Sequence, residues 1–378
     1  MTTIQEYEPK TITVDAEALQ MTNTRLDNLY NSLIPLLTFD VSSPTDRLIL
    51  FSDQHRGKRD RADEFRHSER AYNAALAYYY TLGHTLVVLG DVEEFWKQSP
   101  DSVMAAYEHS LSLEARFHKD GRYLRIWGNH DVEWANERHV REHLWPRFGN
   151  DLRVHEGVRV QIIDSQAEEG QTELGELFLI HGHQGTVDSD MLLPLSRIMV
   201  RLFYAPLQRL TGFSVGLKTP ANNWEKREGH NLTMYNWVSQ KDRLLLIAGH
   251  THRPVFESLT HPDQVLLEIE DVQTKLKTNP GDAGLRQRLA SLAAELEWIR
   301  AQELARPGYE GGDSAAQRMP RYFNTGCASF LDGKITGLEL IDGQIRLIRW
   351  PDDERKPRPK ILAPTADNPV MLRDLLIS

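Results

Sequence analysis

Five short polar clusters in this chain are built from side chains that bind divalent cations. They are Asp53-Gln54-His55, Gly90-Asp91, Gly128-Asn129-His130-Asp131, His181-Gly182-His183 and Gly249-His250-Thr251-His252. Carboxylate and imidazole suit Mn, Fe, Zn or Co, whereas all-oxygen sets suit Mg and Ca. Asp-x-His turns two ligands toward one ion, and His-x-His places two imidazoles on one turn. Gly-Asp supplies a carboxylate able to bridge two ions, and its glycine allows tight backbone geometry beforehand. Asn129 adds a neutral amide oxygen. Together they offer about eight ligands, which suits two ions about 3.5–4 Å apart. Taken singly, each has a plainer reading. Asp53 and His55 could sit on a solvent-facing loop, Asp91 could cap a helix, and Asn129 could serve a turn.

Each cluster follows a short apolar run, at 48–51, 86–89, 123–127, 177–180 and 244–248. These runs read as strands, and the clusters stand at their carboxyl ends, where ligand sites form in sheet-based folds. From residue 47 such runs alternate with helical stretches, which predicts an α/β or layered α+β construction. Residues 1–45 read as an N-terminal helical segment, with Ala18, Leu19, Leu26, Leu29, Tyr30, Leu33 and Leu37 near helical spacing. Residues 46–350 form the main domain and contain two insertions. One, at 190–240, is a helical cap whose stripe of Leu195, Ile198, Met199, Leu202 and Phe203 is closed by Pro206. The other, at 264–305, is a helical hairpin turning at Asn279-Pro280-Gly281-Asp282. Residues 322–350 read as an antiparallel meander with hairpin turns at Asp332-Gly333 and Asp342-Gly343. The tail, 351–378, is Pro-rich and charged and is expected on the surface.

The order of the five clusters resembles that of the calcineurin-like metallophosphoesterases, over residues 47–256 and onward through the meander. The resemblance implies a two-sheet β-sandwich flanked by helices. Carried over by position, it implies one metal on Asp53, His55, Asp91 and His252, and a second on Asp91, Asn129, His181 and His250. His183 would support the site or substitute for His181. His130 would stabilise or protonate the leaving oxygen, Asp131 would orient it, and a metal-held hydroxide would attack phosphorus. Manganese is the expected metal, with Fe, Zn and Co as alternatives.

A looser likeness, at Gly90-Asp91-Val92-Glu93-Glu94-Phe95-Trp96 and Gly249-His250-Thr251-His252-Arg253-Pro254, is to the UDP-2,3-diacylglucosamine pyrophosphohydrolases. There are departures. The third motif has His where that family commonly has Arg, the fourth is His-Gly-His rather than His-Gly-Asp, and Gln54 replaces the usual Leu. The expected substrate is a small-molecule or lipid-linked phosphodiester or pyrophosphate, such as a lipid-linked nucleotide. Phosphomonoester hydrolysis, or a catalytically silent scaffold for protein binding, are the alternatives.

The net charge of −10 over 378 residues argues against nucleic acid as a partner. A single cysteine, Cys327, fits a reducing compartment. The first ten residues lack a basic stretch leading into an apolar core, and a cytoplasmic location is expected. Arg56, with Lys58, Arg59 and Arg61, could contact phosphate or form a solvated basic loop. Trp96 could stack on a base or sugar, or pack in the core. The 195–203 stripe could line an acyl pocket or touch a membrane surface, and the 264–305 hairpin could pair two subunits in a homo-oligomer. His230 reads as a surface or packing histidine.

Overall fold

The computed structural model describes residues 16–168, 170–185, 224–256, 321–364 and 369–377, with scattered residues between 269 and 296. The chain divides into two compact units, Asp15–Val255 with Arg321–Ser378, and Met1–Val14 with Phe256–Pro320.

The larger unit opens with α1 (Ala16–Ser32), β1 (Pro35–Asp40) and β2 (Leu48–Phe51). There follow α2 (Glu69–Thr81), β3 (Thr85–Leu89), α3 (Pro100–Ala106), α4 (Glu108–Lys119) and β4 (Tyr123–Ile126). After short helical turns between 132 and 148 come β5 (Gly157–Asp164), β6 (Thr172–Ile180), α5 (Trp224–Ser239), β7 (Leu244–Ala248) and β8 (Pro254–Val255). The chain resumes with β9 (Tyr322–Thr325), β10 (Ile335–Ile341), β11 (Gln344–Trp350), β12 (Lys360–Ala363) and α6 (Leu372–Ile377). The strands form two mixed six-stranded sheets, ordered β1-β5-β6-β7-β9-β8 and β12-β11-β10-β2-β3-β4.

The central strands are apolar on both faces because both faces are covered. Ile49 and Phe51 of β2, with Leu86 and Val88 of β3, pack in one core with Tyr72, Leu76 and Tyr79 of α2. The alternate residues Leu48, Leu50, Val87 and Leu89 are equally buried. In the other sheet, Phe178, Ile180, Leu244 and Leu246 pack with Leu26 of α1 and Met234 and Trp237 of α5. Each fully buried Leu, Ile or Phe contributes about 1.5–3 kcal/mol, so the strand ends that follow rest on a rigid base. The layered α/β arrangement is the one the alternating runs predict, and all five apolar runs are strands.

Three local readings need correction. The helical spacing expected to reach Leu37 ends at Ser32, and Leu37 lies in β1, a strand paired in parallel with β5. Pro35 is the cause, since the residue before a proline is pushed out of helical geometry. Residues 322–350 are not one meander. β9 pairs in parallel with β7 in one sheet, whereas β10 and β11 form a hairpin in the other. Asp342-Gly343 is the hairpin turn, with φ of 53° and 70°, as such a two-residue turn requires. The turn at Asp332-Gly333 instead redirects the chain between sheets. The tail also carries structure, because β12 extends a sheet edge and α6 buries Leu372, Leu375 and Leu376.

In the smaller unit, the described residues on both sides of a turn at 279–282 are helical, and Asp282 caps the second helix through Leu285 N at 3.0 Å. Val272, Leu292 and Leu296 are buried. The 195–203 stripe of the expected cap lies outside the described residues. No helix among the described residues is long and apolar enough to cross a membrane.

Candidate metal centre

The five strands β2, β3, β4, β6 and β7 deliver their clusters to one place. Five of the cluster residues other than glycine leave their strands with left-handed backbone: Asp53 (φ 56°), His55 (49°), Asp91 (50°), His250 (72°) and His252 (57°). Such a conformation costs about 1–3 kcal/mol for a residue other than glycine and collects at functional sites. Backbone hydrogen bonds hold it. Asp53 N donates to Gly90 O at 3.1 Å and His55 N to Asp91 O at 2.8 Å. The carboxylates serve the loops too, since Asp91 Oδ1 accepts from His130 N at 2.8 Å and Asp53 Oδ2 from His250 N at 2.9 Å. Gly249 is required here, because a Cβ would stand 2.6 Å from Asp53 Oδ2.

With one oxygen of each aspartate spent on backbone, the other turns to the histidines. His252 Nε2 is 3.1 Å from Asp53 Oδ1, and His181 Nε2 is 3.2 Å from Asp91 Oδ2. His55 Nε2 lies 3.0 Å from His252 Nε2 and 3.6 Å from Asp91 Oδ2. Three groups able to hold a metal result: Asp53, His55 and His252; His55, Asp91 and His130; Asp91, His181 and His250. Asp91 belongs to two of them. Asn129 Oδ1 is buried with no hydrogen-bond partner, whereas the buried Asp53 Oδ1 and His181 Nε2 meet His252 and Asp91. A buried polar atom without a partner costs about 1–3 kcal/mol; both oxygens offer lone pairs, and His181 Nε2 offers one in the neutral imidazole. His181 Nδ1 donates to Leu89 O at 2.8 Å, which fixes Nε2 as the ligating nitrogen. The donor set therefore fits a divalent cation of the Mn, Fe, Zn or Co kind.

Electrostatics agree. Burial opposes charge on Asp53 and Asp91, yet His252 holds the Asp53 carboxyl far below its usual range, and His181 holds Asp91 below it. Burial also disfavours a charged His55 or His181, but the carboxylates outweigh it, pushing them up to about 10 and about 9. His183 behaves differently: burial and the charge of His181 push it down to about 3. Its ring packs 5.1 Å from that of Trp127, and it belongs to none of the three groups.

Around the centre several residues take roles that their spacing does not reveal. His130 Nδ1 bonds Glu94 Oε1 at 2.9 Å, and its ring stacks on Trp96 at 4.3 Å. Trp96 Nε1 in turn donates to Asn129 O at 2.8 Å, so the indole supports His130 and Asn129. The carboxylate that orients His130 is Glu94, not Asp131. Asp131 accepts from Val92 N at 2.8 Å and Gly128 N at 2.6 Å, clasping the second and third loops. Burial and the nearby Glu93 and Asp91 push it up to about 7. Arg56 is no phosphate contact either. It is fully buried against Glu114 and Glu93, with Phe65 and Tyr72 rings beneath it. Its position follows from strand alternation: one residue past His55, it points away from the site. His230 of α5, far from any cluster in sequence, is buried and bonds Gly182 O at 2.8 Å, steadying the fourth loop. Cys327 and Ser329 do the same for the first: Ser329 Oγ donates to Asp53 O at 2.9 Å.

Beside Asn129 and His183 lies a cavity of about 470 Å³ whose far wall is α1. Comparison of the chain with protein-family models and with curated proteins finds no match.

Proposed function

We propose that this chain is a dinuclear metal-dependent phosphohydrolase of the calcineurin-like metallophosphoesterase kind, cleaving a small-molecule or lipid-linked phosphodiester or pyrophosphate. The observation that carries the reading is the convergence of buried Asp53, Asn129, His181 and His250 about an Asp91 shared between two groups able to hold a metal, with Asn129 Oδ1 left without a hydrogen-bond partner. Asp53, His55, Asp91 and His252 would hold one ion, and Asp91, Asn129, His181 and His250 the other. Bound divalent ions supply Lewis acidity toward phosphoryl oxygens and lower the pKa of water.

The protein's own part is positioning and proton transfer. Glu94 ties down Nδ1 of His130 and Trp96 fixes the ring plane, leaving Nε2 to meet a substrate oxygen. A histidine so placed can donate a proton to the departing alkoxide or phosphate, as general acids do within hydrogen-bond reach. Asp131 keeps the loops of Asp91 and Asn129 in register.

Metal analysis and turnover of bis-p-nitrophenyl phosphate test the reading together. Manganese-loaded protein should carry two ions per chain and hydrolyse the ester. Asp91→Ala should lower turnover at least about a thousandfold, a loss of roughly 4 kcal/mol. Folded protein that takes up no manganese and stays inactive after reloading would point instead to a silent scaffold.

A further inference from the structure

α5 is the helix that leads into β7. Its His230, Met234, Trp237 and Val238 stand at i, i+4, i+7 and i+8, which is one face of a helix, and all four are buried. The last three pack with Phe178 and Ile180 of β6 and with Leu244 and Leu246 of β7. Ile180 directly precedes His181, so the helix is seated at the end of the strand that delivers the fourth cluster. The buried face is apolar along its later turns and becomes polar at His230.

There His230 Nε2 donates to Gly182 O at 2.8 Å, and the next residue begins a relay. The Tyr322 hydroxyl of β9 donates to Asn231 Oδ1 at 3.3 Å. Asn324 Nδ2 donates to that hydroxyl at 3.1 Å and also to Gly249 O. Gly182 adjoins His181, and Gly249 adjoins His250. Two adjacent residues of one helix therefore hold the backbone beside two ligand candidates that belong to one group, Asp91, His181 and His250. The two loops also bind each other, since Gly249 N donates to His181 O at 2.8 Å. They leave little slack: a Cβ on Gly182 would stand 3.3 Å from the His250 Cβ, and the His230 and His250 rings are 5.4 Å apart. The other group rests on different contacts. Asp53 N and His55 N hang on Gly90 O and Asp91 O, and Ser329 grips Asp53 O.

We infer that His230 is a positioning residue for the metal position of Asp91, Asn129, His181 and His250, with Asn231 as its weaker partner. α5 thereby governs how tightly that ion is held, and leaves the ion of Asp53, His55 and His252 to the strand ends. The inference rests on the dinuclear part of the phosphohydrolase reading, and not on the reaction itself. Supports of metal ligands are worth about 10–100-fold in affinity, and a clamp on the loop of a ligating histidine falls in that class.

Manganese titration into the metal-free full chain tests it, followed by calorimetry and electron paramagnetic resonance. The native protein should take up two ions whose spins couple through the shared carboxylate. His230→Gln places an amide N–H near the position of Nε2 and should keep both affinities within about threefold of native, well inside the range that loss of a support would cover. His230→Asn stops short of Gly182 O. One ion should then bind as in the native protein and the other about 10–100-fold more weakly, and with one ion loaded the spectrum should be that of uncoupled manganese. His230→Phe repeats the test with a ring of similar size and no donor, and Asn231→Leu should weaken the same ion by a smaller factor. Both ions weakened alike, both held as in the native protein, or a glutamine no better than asparagine would overturn the assignment. The expected loss in His230→Asn, without hydrolysis of any ester by the native protein, would uphold it while removing the phosphohydrolase reading. Two ions, full hydrolysis and an unaffected His230→Asn would do the reverse, and native protein that takes up no manganese would remove both.

Discussion

Two buried clusters of charge lie on opposite sides of the same strand ends, and they are built on different terms. Arg56, Glu93, Glu114 and Arg125 are fully buried and make a neutral quartet. Arg56 and Arg125 pair with Glu114 and Glu93, while Tyr72 and Tyr123 hydroxyls donate to Glu114 at 3.0 and 2.8 Å. The quartet's anions thus meet protein cations and hydroxyl donors. In the metal centre the carboxylates of Asp53 and Asp91 meet imidazoles, and no Lys or Arg side chain pairs with them among the described contacts. The loop after β2 feeds both, giving His55 to the centre and Arg56 to the quartet; the loop after β3 gives Asp91 to one and Glu93 to the other. Arg56 and Glu93 form a bridge that prolongs the β2–β3 pairing, and the left-handed backbone at His55 and Asp91, φ 49° and 50°, turns those two side chains to the centre instead. Self-neutralised charge serves the scaffold; the carboxylates and imidazoles of the other cluster are able to hold a cation.

The largest effect should come from breaking the quartet. Glu114→Ala leaves Arg56 and Arg125 with Glu93 as their one acidic partner in the quartet, and removing one member of a buried ion set costs about 3–5 kcal/mol. Urea unfolding should show that loss. The pH dependence carries a definite sign. Burial pushes Glu114 up, but Arg56 and Arg125 outweigh it and hold its carboxyl below the ordinary 4.5. A depressed carboxyl stabilises the fold above its unfolded value and loses that contribution as pH falls through the folded one. The stability gap between the native protein and Glu114→Gln should therefore be full at neutral pH and shrink below about pH 4. A gap that widens in acid would contradict the pairing.

On the other side of the strands, Glu94 is the sharper probe. Its Oε1 is bonded to His130 and its Oε2 lies 3.5 Å from His55 Nδ1 and 3.5 Å from Lys97 Nζ. A group orienting metal ligands is worth about 10–100-fold in affinity or activity. Glu94→Gln should lower manganese affinity or turnover by that factor. Because burial raises its carboxyl but His130 and Lys97 hold it well below the usual range, the change should also cost stability in urea, but less than Glu114→Ala does. Equal losses in both measurements would make Glu94 part of the scaffold and blur the contrast between the two clusters.

What was legible in the sequence follows the same division. The five strands and their order could be read because each couples an apolar run to ligand-type residues at its end. The quartet could not. Glu114 sits mid-helix in α4 and Arg125 mid-strand in β4, and nothing local distinguishes them from solvent-facing charges. Glu94 was hidden for a related reason: as one of two adjacent glutamates, it reveals its direction only when the loop after β3 is folded. His230 acts across a stretch of chain that no local pattern spans. Pro35 was visible and outvoted by helical spacing. Local chemistry reads well from sequence, whereas second-layer support depends on contacts distant along the chain.

The smallest effect, and a clean one, concerns two arginines three residues apart. Arg56 and Arg59 belong to one basic run, and sequence alone treats them alike. Arg56 is wholly buried, whereas the Arg59 side chain is 46% exposed, donates to Ala106 O at 2.7 Å and pairs with Glu69. An exposed pair contributes about 0–1 kcal/mol, because solvent screens it and two side chains must be ordered. Arg59→Ala should thus change urea stability by less than about 1 kcal/mol. It should also leave the KM for bis-p-nitrophenyl phosphate within about twofold, the guanidinium being engaged by Glu69 and a backbone carbonyl rather than held toward the metal centre. A tenfold rise in KM with stability intact would return Arg59 to the role of phosphate contact, and would place the anion's approach on the α3 side of the first loop.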